Sequence, residues 1–182
     1  MPTPSPLAAG DSPGYIDALL AYLGDHDPLE VFDATPDTLR EVTWGLSPKA
    51  LNTPEAPGKW TVLNVVQHLG QTEIALGFRY RKVLAEAGPD LPAIDQDRWV
   101  AALYPEAVPL SEALENFSVV RAVNLRLLRR VHGTAWERHG MHSQRGKETL
   151  ADMVRLYAAH DRYHLFQIER ILNAIAGRVG PE

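Results

Sequence analysis

The 182-residue chain contains no cysteine. That absence rules out a disulfide framework and any protein thiolate, whether nucleophile or ligand, so a metal site here can draw only on histidine and carboxylate. Nowhere do 18 apolar residues run together, and the opening Met-Pro-Thr-Pro-Ser-Pro-Leu-Ala-Ala-Gly has neither a basic start nor an apolar stretch of signal length. Neither a membrane span nor a secretory leader is expected. Basic residues never cluster: 18 Lys and Arg stand against 23 Asp and Glu, for a formal charge of −5, which disfavours nucleic acid and anionic membrane as partners. No internal repeat and no strand pattern is visible. These absences leave a soluble, cytoplasmic protein with no sign of a sheet.

What is present is helical periodicity interrupted by proline and glycine. Residues 1–11 are rich in proline and small side chains and read as a disordered tail, leaving 12–178 as a single domain. Ser12-Pro13 and Asp27-Pro28 each look like an N-cap followed by proline at the first helical position. Gly24 ends the first of these helices, and Pro36 is expected to kink or split the second near Thr35, giving a broken first helix. Residues 47–59 hold three prolines and a glycine and read as a connection. The next helix begins after Thr61 and runs to about Glu86.

From Gly88 to Leu110 the pattern predicts a long connection, either a lid over a site or a crossover between parallel helices. Ser111 then reads as the cap of a helix carrying Leu114, Phe117, Val120, Leu127 and Leu128 and ended by Gly133, with Arg121, Arg126, Arg129 and Arg130 on its solvated side. Residues 134–147 read as a polar loop. Thr149 with Asp152 resembles a capping box for the last helix, which has no interruption before Gly177.

The histidines carry the chemistry. His160 and His164 stand four apart on the last helix, so both imidazoles lie on one face and their nitrogens can reach one metal ion. His68 lies in the apolar first half of the helix after Thr61, where it is either a hydrogen-bonded core residue or a third ligand. His26, His132, His139 and His142 fall in or beside loop segments and read as surface or rim groups. Four amphipathic helices with histidine on the second and fourth fit a four-helix bundle, whose metal sites are built from facing helices. Three neutral imidazoles would leave coordination positions open, as a catalytic site requires.

The run Gly58-Lys59-Trp60-Thr61-Val62 leading to His68, then Glu73, Arg79-Tyr80-Arg81, Asp95-Gln96-Asp97-Arg98-Trp99 and His160-Asp161-x-x-His164 with Gln167-Ile168-Glu169-Arg170, resembles the DinB/YfiT-like superfamily. The resemblance implies a four-helix bundle with up-down-down-up connectivity, a divalent metal, zinc or nickel, on His68, His160 and His164, and a homodimer. It implies either transfer of a low-molecular-weight, bacillithiol-like thiol to electrophiles in stress or detoxification, or hydrolysis by metal-bound hydroxide. A non-catalytic metal- or ligand-binding bundle is the third reading. Asp161 stands where His-Glu-x-x-His peptidases carry their base, but its shorter side chain departs from that motif, which disfavours peptidase activity and leaves Asp161 as a general base, an acceptor behind a ligand, or one half of a surface ion pair. Glu73, Arg79 and Arg81 recur in the resemblance as candidate substrate-binding residues, with helix-surface ion pairing as the alternative.

Overall fold

The computed structural model describes residues 13–103 and 108–177, excluding the side chains of Pro13 and Tyr15. The expected tail over 1–11 and the Ser12 cap lie outside the described residues. Four long helices make the bundle: α2 (Pro28–Thr43), α4 (Val62–Ala85), α6 (Leu110–Leu128) and α7 (Leu150–Ala176). Shorter helices α1 (Pro13–Leu20), α3 (Pro48–Asn52) and α5 (Gln96–Leu103), a 3-10 turn at Gly133–Glu137 and the strands β1 (Asp90–Leu91), β2 (His139–His142) and β3 (Gly146–Thr149) fill the connections. No helix among the described residues is long and apolar enough to cross a membrane.

Local chemistry sets the helix starts. Asp27 accepts hydrogen bonds from the Leu29 and Glu30 amides ahead of Pro28, while Thr61 with Asn64 and Thr149 with Asp152 form reciprocal capping boxes for α4 and α7. Cross-helix contacts then give the directions. Glu73 faces Arg121 and Gly77 faces Asn124, so α4 and α6 run parallel. His68 meets His160 and Arg79 meets Tyr157, so α7 runs against α4. Arg40 reaches Ser118 and Asp33 reaches Arg129, so α2 runs against α6. The result is an up-down-down-up bundle whose parallel pair is joined by the crossover after α4.

The core divides in two along the bundle. One half centres on Phe32, Leu76, Tyr80, Leu128 and Met153, the other on Leu39, Val65, Val66, Phe117 and Ile168. Between them lies a layer of buried polar groups: His68, Glu73, Arg121, Asn124, His160, Asp161 and His164. Apolar packing on both sides excludes water from this layer, so its charges and lone pairs must satisfy one another.

Several expectations are corrected. α2 continues through Pro36. Proline removes the amide that would bond to the Phe32 carbonyl, and Arg121 supplies the missing donor from α6 at 3.1 Å. Helix α6 starts at Leu110 with Pro109 at its N-cap and no side-chain cap, so Ser111 lies inside it, and it ends at Leu128, short of Gly133. The 88–110 connection and the supposed polar loop contain strands. β1 pairs in parallel with β2 (Asp90 opposite Met141), and β2 pairs antiparallel with β3 (His139 opposite Thr149). Elements of two and four residues are too short to show a period of two. Gly140 is required where β1 crosses, since a Cβ there would meet the Leu91 side chain at 2.7 Å.

Candidate metal centre

The capping box at Thr61 fixes the start of α4, and His68 follows on its buried face. His160 and His164 stand one turn apart in the middle of α7, and His160 Nε2 lies 3.0 Å from the Nε2 of both His68 and His164. All three rings are at most 2% exposed. Among the described residues they are the one group of three potential ligand side chains whose donor atoms lie within 4.8 Å of one another. His164 Nδ1 sits 2.7 Å from Gln167 Oε1. An amide oxygen only accepts, so the proton is on Nδ1 and the Nε2 lone pair faces the cluster.

Three imidazole nitrogens crowded this closely cannot all satisfy one another by hydrogen bonding, because each carries one proton or one lone pair there and His160 Nε2 faces both of the others. Bonds of about 2.0–2.1 Å at tetrahedral angles separate ligand nitrogens by about 3.3 Å, a few tenths beyond what is observed, so the trio fits a single divalent ion. Burial, then the neighbouring imidazole charges, holds His68 and His160 well below the ordinary histidine value. Burial lowers His164 to about 4 despite its bond to Gln167. All three are neutral at pH 7 and able to ligate. The Trp60 ring lies 4.8 Å from that of His68 and stacks 6.2 Å from that of His164, covering one side of the cluster.

A sequence profile of the DinB superfamily matches residues 31–168. The chain belongs to the DinB superfamily. It is 29% identical over 136 residues to a protein of Oceanobacillus iheyensis provisionally named a metal-dependent hydrolase, covering 73% of this chain and 77% of that one. It is 26% identical over 140 residues to a Bacillus mycoides protein with the same provisional name, covering 77% and 80%. Its fold is similar to that of YfiT from Bacillus subtilis, described as having an unusual four-helix bundle topology: TM-score 0.76, 22% identity, 91% of this chain and 90% of that one. It is also similar to TT2238, a four-helix bundle protein: TM-score 0.58, 20% identity, 79% and 96%.

In this DinB protein the carboxylates expected near the site belong to a second cluster. Arg121, placed on the solvated side by its spacing, is 2% exposed. Its Nη2 lies 2.9 Å from Glu73 Oε1 and its Nη1 2.6 Å from Asp161 Oδ2, with the guanidinium between the Phe32 and Phe117 rings. Asn124 donates to the Glu73 backbone carbonyl and to its carboxylate, and Gly77 is required beside it, since a Cβ would meet Asn124 Oδ1 at 2.5 Å. Burial raises the Asp161 carboxyl, opposed by Arg121. Burial pulls the Arg121 guanidinium down, but Asp161 and Glu73 overcome it, and the net shift is upward.

Of the other sequence candidates, Arg81 donates to the Gly77 carbonyl and Asn124 on the far side of α4 from the imidazoles. Arg79 is buried and donates to the Tyr157 hydroxyl and the Pro92 carbonyl. His142, read as a surface or rim group, is 3% exposed on β2. Burial, with Arg145 and Arg79 adding to it, lowers its pKa to about 3. No sequence signal separated Arg121 from the other arginines of α6, or His142 from the other loop histidines.

Four buried imidazoles whose folded pKa values lie below the unfolded value of about 6.5 give a definite sign. The unfolded chain takes up protons first as pH falls, so stability is complete above about pH 6.5 and is lost toward pH 4. The raised Asp161 acts in the opposite direction, one group against four. The urea midpoint of chelator-treated protein is therefore expected to hold between pH 7.5 and 6.5 and to fall from there to pH 4.5, with the unfolding free energy dropping by up to about 1.4 kcal/mol per pH unit per imidazole. A midpoint that stays level over that range would contradict neutral burial of the cluster.

Proposed function

We propose that His68, His160 and His164 hold one divalent ion, zinc or nickel, and that the protein transfers a low-molecular-weight thiol to electrophilic small molecules in the cytoplasm. The observation that carries this reading is the convergence of the His68 and His164 Nε2 atoms on that of His160, each at 3.0 Å, in a layer from which apolar packing excludes water. Three protein ligands leave room for a fourth, and a bound divalent ion lowers the pKa of a thiol or water in that position. The chain's own residues set the ligand tautomer through Gln167, shield the cluster with Trp60 and keep the imidazoles neutral.

The second cluster bears on the choice between thiol and water. Asp161 and Glu73 are committed to Arg121, so neither is free to act as a base at the imidazoles. Water, with an unassisted pKa of about 15.7, benefits from such a base far more than a thiol of about 8.5. In the transfer step the sulfur bonds to the electrophilic carbon, the bond to the leaving group breaks, and the thiol proton passes to solvent. Hydrolysis is the second reading, favoured by the names of the similar proteins.

Zinc-loaded protein incubated with 1-chloro-2,4-dinitrobenzene is expected to form a thioether only when a thiol such as cysteine, glutathione or bacillithiol is present, with release of chloride, and to lose that activity on chelation. Dinitrophenol formed without thiol would establish the hydrolytic reading instead. The homodimer is part of the same proposal. Ile74, Phe78, Val119 and Val123 are exposed apolar residues that line one groove between α4 and α6. Light scattering at micromolar concentration is expected to give twice the chain mass of 20.2 kDa, and Phe78→Glu to give the single-chain mass; a monomeric wild type would refute the pairing.

A further inference from the structure

Beside the imidazole cluster, and separate from it, lies a cavity of about 30 Å³, room for about two waters or one carboxylate group. Thr72 and Tyr157 form the wall it shares with the cluster. Thr72 Oγ1 is 3.5 Å from His68 Nε2, and the Tyr157 ring stands 5.6 Å from that of His160. The remaining wall is built from Arg79 on α4, Gln96 on α5, and His142 and Arg145 from the β-hairpin.

Three observations give this cavity a definite chemistry. Arg79 is 3% exposed, yet no carboxylate among the described residues pairs with it, while the neighbouring Arg145 holds Glu148. A buried guanidinium without a counter-charge is unfavourable unless something anionic joins it. Its bonds to Tyr157 and Pro92 use one hydrogen on each terminal nitrogen, and each carries two. Gln96, 5% exposed, has a buried Nε2 with no hydrogen-bond partner among the described residues. His142 Nδ1 accepts from the Gln144 and Arg145 amides, which puts the ring proton on Nε2. Arg79, Gln96 and His142 thus each have a donor to offer, and the charge that Arg79 brings to the cavity is positive.

We infer that this cavity is a carboxylate-binding subsite, in which Arg79, Gln96 and His142 hold a carboxylate of the substrate or co-substrate so that its reacting group reaches the imidazole cluster across Thr72. The inference rests on the proposed function in taking the bound carboxylate as part of the reacting molecule. Planar guanidinium and amide groups suit a planar carboxylate, and the cavity's size matches that group alone, leaving the rest of the molecule toward the cluster or the exposed Gln144.

The test uses succinate and its uncharged analogue succinamide, followed by calorimetry on chelator-treated and on zinc-loaded protein. Succinate is expected to bind both forms and succinamide neither. Gln96→Leu, which removes an unpaired donor and leaves the fold's own hydrogen bonds intact, is expected to weaken succinate about 5-fold, and Arg79→Met about 10- to 100-fold. His164→Ala is expected to bind succinate as the wild type does. Succinate binding that vanishes on chelation, that Gln96→Leu leaves unchanged, that succinamide or inorganic phosphate equals, or that is absent altogether overturns the subsite. Zinc titrated in parallel separates the two failures. Protein that takes up zinc and fails to bind succinate removes the subsite and leaves the proposed function, and protein that binds succinate and fails to take up added zinc does the reverse.

Discussion

His164→Ala is expected to reduce zinc or nickel affinity by at least 100-fold and to abolish thiol transfer with it. Removing an outer partner of a metal ligand typically lowers affinity 10- to 100-fold, and removing one of three ligands exceeds that. Gln167→Leu provides the graded comparison. Gln167 holds the His164 tautomer through the 2.7 Å bond to Nδ1, so this variant keeps three imidazoles and is expected to lose 10- to 100-fold. Asp161→Asn is expected to retain the metal and lose only a modest part of the rate, because its carboxylate faces Arg121. Elemental analysis of each purified variant, with helix content followed by circular dichroism, checks the series. A His164→Ala protein that keeps a full equivalent of metal, or loses it with activity intact, would mean that the cluster is not the reactive centre.

Arg121→Met is expected to destabilise the fold by about 3–5 kcal/mol, the range for breaking a buried ion pair from one side. Against a total of roughly 5–15 kcal/mol that is a large share, and it corresponds to a fall in Tm on the order of 6–20 °C for a chain of this size. The cause is specific. Glu73 and Asp161, 1% and 2% exposed, would be left as buried carboxylates without a cation, and the Phe32 carbonyl freed by Pro36 would lose its donor. Combining Arg121→Met with Glu73→Gln and Asp161→Asn removes the stranded charges and is expected to recover at least half of the loss. The pH dependence has a definite sign. Burial already raises the Asp161 carboxyl and Arg121 opposes that rise, so without the guanidinium the folded state binds a proton that the unfolded chain releases, and stability is lost as pH rises. The gap between variant and wild type in urea midpoint is therefore expected to be larger at pH 8 than at pH 5. An equal gap at both pH values would show that the loss comes from packing rather than charge.

The sequence by itself determined where α2, α4 and α7 begin, because those starts are local chemistry. Asp27-Pro28, Thr61 with Asn64 and Thr149 with Asp152 each satisfy helix-end amides within three residues. It also determined that His160 and His164 share a face, since four-residue spacing on a helix settles that without reference to any neighbour. Tertiary structure decided the rest. His68 joins the pair across 92 positions of chain, a distance over which periodicity carries no information. Arg121 has the same local setting as Arg126, Arg129 and Arg130, and only the arrival of Glu73 and Asp161 from other helices makes its burial favourable. Proline 36 reads as a break because the rule concerns the helix's own hydrogen bonds, whereas the orphaned carbonyl is satisfied from outside the helix. The strands leave no pattern in the chain because elements of two to four residues exist only as partners of one another. Pairing β2 with β1 brings His142 to the cavity that Arg79 and Gln96 also line, a juxtaposition set by strand register and helix packing rather than by any spacing in the chain.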